Sequence, residues 1–362
     1  MNYETLMKRA IALARRAEGQ TEHYPMVGAV LVKDGEIISE GYFKKPGEPH
    51  AEVVAIRKAG KKAKGATLVL NLEPCAHYGR TPPCTKAIIS AGIKKVVAGM
   101  IDPNPLVCGK GVAQLRQAGV EVIVGVLEKE CKMLNRHFVK YITTQTPWVI
   151  LKLALTADGK IADRYGNSKW ITSEQARKFV HQLRSKVQVV MVGINTILQD
   201  DPLLNVRFVS SRNQPKALII DSHLRIPLSA KILSRPKTII ACSKNCSKKR
   251  KEVLEKRGAE IIEVPSSQNG LSLKSLFKKL GRRKIASVLC EGGAHLAGSL
   301  LEEKLVDEIY LFYAPKLIID EKALGAILGK KARKINKMLE LINPKYRRIG
   351  SDFLLNGLLR EV

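Results

Sequence analysis

The chain has 362 residues, 45% of them hydrophobic, and a formal charge of +29. That is apolar material for two ordinary cores, so two domains are expected, while the longest apolar runs (VVMVGI, ALII) are strand-sized and exclude a bilayer-spanning helix. Residues 1–146 hold 22 Lys/Arg against 13 Asp/Glu and the remainder 40 against 20. The excess lies in 248–257, 278–284 and 330–337, largely with helix-like patterning and with few aromatics. It reads as solvated helix faces that help gather an anionic substrate, not as a base-stacking platform for nucleic acid.

In chain order, MNYETLMKRAIALARRA puts Leu6, Ala10, Leu13, Ala14 and Ala17 at helical spacing and carries acids. It is read as a first helix and not a targeting peptide, which places the protein in the cytoplasm. VGAVLV (27–32), the turn Lys33-Asp34-Gly35 and EIISEGY (36–42) predict a β-hairpin. A helix starts near His50, followed by the basic linker GKKAKG and a strand over 67–72. The loop 73–82 delivers Cys75. Pro83 suits the first turn of a helix over 84–91, where its missing N–H is not needed. Strand 95–100, the loop DPNP, helix 110–118, strand 120–124 and a single helix over 128–141 complete an alternating α/β unit, with helices on both faces of a mostly parallel sheet.

TTQTPW (143–148) reads as the connection to a second α/β series. That series has strand 149–155, the turn TADGKIA, helix 173–185, strand 187–194 and a loop TILQDDPLLNVR (196–207). Strands at 216–221, 238–242 and 259–264 follow, then a helix near 273–280 and the strand SVLC (287–290). EGGAHLAGSLLEE turns from that strand into a helix, and DEIYLFYAPKLI is a long late strand. No internal repeat is present.

The chemistry concentrates between residues 49 and 84. A His-x-Glu (His50, Glu52) precedes two cysteines that each follow a proline, Cys75 and Cys84. One His and two Cys are three zinc ligands with a fourth position open, the pattern of a catalytic zinc. A water in that position would ionise near neutral pH, and Glu52, not needed as a ligand, is placed to move its protons. The zinc-deaminase signature H-x-E…P-C-x-x-C has these parts, but here eight residues separate the cysteines instead of two. The plainer alternative is a buried His and two core Cys. The odd count of seven cysteines without framework spacing argues for reduced thiols, and Cys242 and Cys246 lack partners for a second metal site.

PHAE…LEPCAHYGRTPPC resembles the riboflavin-biosynthesis deaminases, members of the cytidine-deaminase-like fold, whose pattern includes the long insertion GRTPPC. VGAVLVKDG, DPNPLVCGKGVAQLRQAGVEV and LNRHFVKY extend the resemblance. LKLALTADGKIA, GNSKWITSEQAR, VGINTILQDDPLLNVR, DSHLRIP, VLCEGGAHLAGSLLEEKLVDEIYLFYAPKL and RRIGSDFLLNGLL resemble the reductase half fused to that deaminase in many bacteria. The resemblance covers nearly the whole chain.

It implies a zinc-dependent pyrimidine deaminase over residues 1–146, a three-layer α/β/α domain, and an NADPH-dependent reductase over 147–362, an α/β domain like dihydrofolate reductase. The first would hydrolyse an amino group from 2,5-diamino-6-(5-phosphoribosylamino)pyrimidin-4-one, with one Zn2+ on His50, Cys75 and Cys84 and Glu52 as the proton carrier. The second would reduce the ribosyl group of the product to ribityl. His77 and Arg80 become candidates to hold the pyrimidine or its phosphate arm. For NADPH the match gives Ala154, Trp170, Thr196, Asp200, Ser222 and the turn Gly292, Gly293, Ala294, His295, Leu296, Ala297, Gly298 and Ser299. For the reductase substrate it gives Ser168, Arg184, Leu204, Arg207 and Glu291. By residue type alone the glycine turn can cradle a phosphate but is no GxGxxG fingerprint, and the arginines are equally surface ion pairs.

The resemblance further implies small-molecule phosphoribosylaminopyrimidine substrates, no nucleic acid and no membrane, with room for a homo-oligomer through the reductase half. Tyr24 stands where the family usually has Asn, and Phe43 where a His is common, so the ring is expected to be bound differently. Two alternatives stay open: an active reductase joined to a weak or inactive deaminase, and a nucleic-acid deaminase. The latter calls for a short C-x-x-C, aromatics near the zinc loop and a basic deaminase face, whereas this sequence has eight residues between the cysteines, a modest net +9 over residues 1–146 and a recognisable reductase half.

Overall fold

The computed structural model describes residues 2–79, 81–211, 213–267 and 270–362. The chain divides into two compact units, Met1–Gln145 and Thr146–Glu361.

The first unit runs α1 (Tyr3–Ala14), β1 (Gly28–Lys33), β2 (Glu36–Tyr42), α2 (Ala51–Ala59), β3 (Thr67–Leu70), α3 (Cys84–Ser90), β4 (Lys95–Ala98), α4 (Lys110–Gln117), β5 (Glu121–Val124), α5 (Glu128–Leu134) and α6 (Arg136–Thr144). Its sheet order is β2-β1-β3-β4-β5. The hairpin β1–β2 and the pair β1–β3 are antiparallel; β3, β4 and β5 are parallel. Successive strand residues face opposite layers, and here both layers are buried. Leu31, Leu68, Leu70 and Val96 pack with Ala51, Ala55, Ile88 and Leu115 of α2, α3 and α4. Val30, Val69 and Val97, one residue out of phase, pack with Leu6, Met7 and Ala10 of α1 and with Cys131 and Leu134 of α5. The result is a three-layer α/β/α sandwich.

The second unit runs β6 (Trp148–Thr156), β7 (Lys160–Ala162), α7 (Glu174–Ser185), β8 (Val189–Gly193), α8 (Ile194–Asp200), β9 (Lys216–Ile220), β10 (Thr238–Ser243), α9 (Lys248–Lys256), β11 (Ala259–Val264), the short β12 (Ser266–Ser267) and β13 (Gly270–Leu271), α10 (Leu273–Arg282), β14 (Ser287–Cys290), α11 (Ala294–Glu302), β15 (Glu308–Ala314), the short β16 (Leu324–Gly325), β17 (Ile342–Ile349) and β18 (Asp352–Leu358). The large sheet has the order β11-β10-β9-β8-β14-β6-β15-β18-β17. It is parallel from β11 to β15, and β18 and β17 add an antiparallel edge. In such sheets, ligands bind beyond the carboxyl ends of the strands.

Two sequence expectations are corrected. The helix expected over 128–141 is broken at Asn135, whose φ of −99° and ψ of 18° end α5. Its buried amide turns to the Met26 backbone, accepting from N at 2.8 Å and donating to O at 3.0 Å. The loop expected over 196–207 begins as α8, because Ile194 and Ile197 bury one helical face.

Backbone groups in the loops of the first unit are satisfied by side chains. Glu73, 3% exposed, accepts from the N–H groups of Asp102 (3.1 Å), Gly109 (2.9 Å) and Val112 (3.0 Å), pinning the loop between β4 and α4. Gly111 is required beside it, since a Cβ there would lie 2.0 Å from the Pro74 carbonyl oxygen. Removing Glu73 would orphan three amides, so Glu73→Ala should lower the unfolding free energy by roughly 3 kcal/mol. Denaturant melts of the variant and the parent, with zinc present, check this.

Candidate active sites

The first site forms where α2 and α3 begin. His50 caps α2 in an extended conformation, and Cys84 opens α3, so both meet the positive ends of helix dipoles that favour a thiolate. Cys75 arrives on the loop after β3. Its sulfur accepts from the Cys84 N–H at 3.3 Å and lies 3.7 Å from His50 Nδ1, and Cys84 Sγ is 3.2 Å from the same nitrogen. The three ligand atoms lie within 4.8 Å of one another. Ligands about 2.0–2.3 Å from a shared tetrahedral ion sit roughly 3.5 Å apart, so the trio fits zinc. Electrostatics agree. The hydrogen bond from Cys84 draws the Cys75 thiol well below its usual range, and the same bond, then burial, pushes Cys84 up. One thiolate therefore stands beside an imidazole whose pKa is raised, first by its bond to Cys75. The His50 Nε2 side faces Thr81 Oγ1 at 3.4 Å, an outer contact that orients the ring.

Glu52, on the first turn of α2, is 3% exposed, and burial raises its carboxyl pKa. Among the described residues its Oε2 has no hydrogen-bond partner, and neither has the buried Nδ1 of His77. Such orphans are rare in a finished core and mark a place that a ligand completes. Both residues line a cavity of about 450 Å³ with His50, Cys75, Tyr24, Phe43 and Phe138. Cys84 lies fully buried behind it. The Tyr24 and Phe43 rings stand 6.4 Å apart, edge to face, and Phe43 meets the His50 ring edge-on at 5.5 Å. Arg80 lies outside the described residues. Sequence reasoning missed Asp102 and Asn104, which also line the cavity. Asp102 is pushed up to about 7, first by burial. The DPNP turn was the available signal, since it follows a parallel strand.

The second site lies at the carboxyl ends of β6, β8, β9 and β14. A cavity of about 510 Å³ is lined by Ala154, Ser168, Trp170, Arg184, Thr196, Asp200, Leu204, Arg207, Glu291, Gly292 and Gly293. A second, of about 240 Å³, shares Thr196 and Gly293 and adds Ser222, Ala294, His295, Leu296 and Ser299. Two residues expected at the cofactor do not line either cavity. Ala297 is turned into the core by helix periodicity, and the Leu328 carbonyl lies 2.0 Å from any Cβ placed on Gly298. Gly292 lets β14 pass close to β8, since its Cβ would lie 2.9 Å from Gly193 N. The groove leads to the first turn of the nine-residue α11, which no side chain caps among the described residues; such a helix start suits the diphosphate of a dinucleotide, so the residues present fit NADPH.

A buried charge cluster floors the larger cavity. Arg184 donates to Glu291 through Nε (2.6 Å) and Nη2 (3.0 Å), a bidentate pair only 11% and 9% exposed. Burial raises the Glu291 pKa, but the Arg184 charge and hydrogen bond outweigh it and leave the carboxyl below its ordinary range. Lys152, which sequence reasoning missed, reaches the cavity from the middle of β6, and burial lowers its pKa. Its signal was a lone lysine inside VILKLAL. Arg184 is thus committed to Glu291, and Arg207 is the more available cation. Trp170 is 61% exposed and carries the Arg177 guanidinium 4.5 Å above its ring.

Residues 1–100 match the family model "Cytidine and deoxycytidylate deaminase zinc-binding region", and residues 147–355 match "RibD C-terminal domain". The riboflavin biosynthesis protein RibD of Aquifex aeolicus is 46% identical over 351 residues, covering 96% of each chain. Among solved structures, Acinetobacter baumannii RibD superimposes with a TM-score of 0.89 at 39% identity over 98% of each chain. A Thermotoga maritima protein described as a diaminohydroxyphosphoribosylaminopyrimidine deaminase/5-amino-6-(5-phosphoribosylamino)uracil reductase gives 0.84 at 38% identity, covering 98% of this chain and 97% of that one. With a zinc-deaminase site in one unit and a dinucleotide groove in the other, the chain belongs to the bifunctional RibD family of riboflavin biosynthesis, a zinc-dependent deaminase fused to an NADPH-dependent reductase.

Proposed function

We propose that residues 1–146 deaminate 2,5-diamino-6-(5-phosphoribosylamino)pyrimidin-4-one and that residues 147–362 reduce the ribosyl arm of the product to ribityl. The observation that carries the first step is Glu52, buried with an unpartnered Oε2 beside His50, Cys75 and Cys84 on a cavity wall. These three side chains would hold one Zn2+, which when bound acidifies a water and supplies the nucleophile. Glu52 would carry the two protons of the attacking water in turn through Oε2, the first to the ring nitrogen and the second to the amino group, which leaves as ammonia when its bond to the ring carbon breaks. His77 and Arg80 hold the pyrimidine or its arm. Tyr24 and Phe43 give the ring an aromatic wall in place of an amide partner, because a phenol offers one hydroxyl where Asn offers both a donor and an acceptor.

In the reductase, NADPH when bound supplies the hydride. Gly292, Gly293 and the first turn of α11 receive its diphosphate, and Ala154, Trp170, Thr196, Asp200 and Ser222 flank it. Ser168, Leu204 and Arg207 meet the substrate, with Arg207 on the phosphate, and Arg184 orients Glu291 against the reacting arm. The substrates are small molecules. No helix among the described residues is long and apolar enough to cross a membrane; a cytoplasmic location and assembly through the reductase half belong to this same reading.

Ammonia release and NADPH oxidation followed in one sample test the assignment. Glu52→Gln should cut ammonia release by about 10³-fold while the zinc content stays at one per chain and reduction of the deaminated substrate is kept. Ammonia release that survives this change rejects the proton-carrier role. Stripping zinc with a chelator should stop deamination and leave reduction of supplied product intact. Tyr24→Asn should alter the deaminase KM; an unchanged KM and kcat would remove Tyr24 from the substrate site.

A further inference from the structure

Residues 203–207 cross the wall of the larger reductase cavity and contribute Leu204 and Arg207 to it, yet they belong to no helix or strand. Leu204 sits in the left-handed region at φ 51°. With no ladder partner, the backbone here is met by side chains. Arg235 Nη1 donates to the Leu203 carbonyl at 2.6 Å, and Arg184 Nη1 donates to that of Asn205 at 3.0 Å. The Arg207 N–H donates to His181 Nδ1 at 3.1 Å. Gln214 makes a two-way pair with Val206: its Oε1 accepts from Val206 N and its Nε2 donates to Val206 O, both at 2.8 Å. A single side-chain amide thereby reproduces the exchange of hydrogen bonds that a neighbouring strand would provide.

Gln214 lines neither reductase cavity and is exposed, so its importance does not lie in core packing or in touching a ligand. It fixes the residue just before Arg207. His181 fixes Arg207 itself, and its ring lies 4.5 Å from that of Phe208. Burial, then the charges of Arg184 and Arg207, push the His181 pKa down to about 4, which keeps Nδ1 an acceptor at neutral pH. Arg207 is otherwise held only lightly, by Nη1 on Asn205 Oδ1 at 3.1 Å and by stacking over Phe208 at 4.9 Å.

We propose that Gln214 and His181 are positioning residues of the reductase, locking the 205–207 backbone so that Arg207 presents its guanidinium to the phosphate of the substrate arm. This rests on the reductase reading above. A pre-set fork binds a phosphate without the loss of chain freedom that a loose loop would suffer.

The test uses the full chain, deaminated substrate, and the same compound lacking the 5-phosphate, with NADPH oxidation as readout. Arg207→Ala should raise KM for the phosphorylated compound more than about ten-fold and barely affect the other. Gln214→Ala should raise the same KM by about ten-fold, keep kcat within about two-fold, and lose its effect on the phosphate-free compound. His181→Leu should act in the same direction, and His181→Asn, whose Oδ1 branches from the same carbon position as Nδ1, should recover most of the loss. NADP+ affinity, measured by fluorescence without turnover, should be unchanged in Gln214→Ala. If Arg207→Ala discriminates by phosphate and Gln214→Ala does not, the positioning role fails alone. If Arg207→Ala makes no such distinction, the reading of the cavity fails and takes this proposal with it. A His181→Asn variant as weak as His181→Leu rejects the acceptor role of His181.

Discussion

Both active sites depend on one constraint: a backbone that leaves its sheet to form a binding wall must still satisfy its N–H and C=O groups. Here side-chain carboxylates and amides do so. Glu73 gathers three amides of the loop after β4. Asn71 and Asn135 grip the segment entering β1, Asn71 by accepting from Gly28 N and donating to Met26 O, each within 2.9 Å. In the second unit, Asp221 closes the turn after β9 by accepting from Ile226 N at 2.9 Å. Each tether converts a loop, which would be mobile alone, into a wall of fixed shape. Preorganisation of the reacting groups follows from that fixed shape.

The two sites use burial in opposite ways. Around Glu52 desolvation outweighs the opposing charge of His50 and raises the carboxyl pKa. That suits a group that must accept and then release protons. Around Glu291 desolvation is equally complete, but the Arg184 fork and Lys152 outweigh it and hold the carboxylate charged. The resulting Arg184–Glu291 pair keeps a definite orientation because breaking it would strand a buried charge. The same side-chain type thus serves two chemistries, and the neighbours select which.

Much of the architecture was legible because both faces of the central strands are buried. Continuous runs such as TLVL and SVLC can be little else once flanked by loop residues, and the alternation of strand with amphipathic helix fixes an α/β class. The breaks were less legible. Asn135 interrupts a helical pattern because its amide is needed 109 residues away at Met26, a demand that no local window contains. Likewise α8 was hidden by the loop-like DDP that follows it, although Ile194 and Ile197 carry the buried face. Within the turn 292–299, order along the chain said nothing of direction. Ala297 and Gly298 turned to the core and to Leu328, while Leu296 and Ser299 turned to the groove.

By itself the sequence pointed to the family and nominated the zinc trio and the proton carrier, because ligand chemistry demands particular atoms and His50 and Cys84 stand at loop-to-helix junctions with Cys75 on the loop between them. It also identified Tyr24 as a departure. Only the tertiary structure decided how charge is distributed at each site. It paired Arg184 with Glu291, brought Lys152 and Asp102 to cavity walls, and set Gln214 against Val206. Pairing, burial and pKa depend on distances between residues far apart in the chain, and those distances do not exist until the sheets have formed.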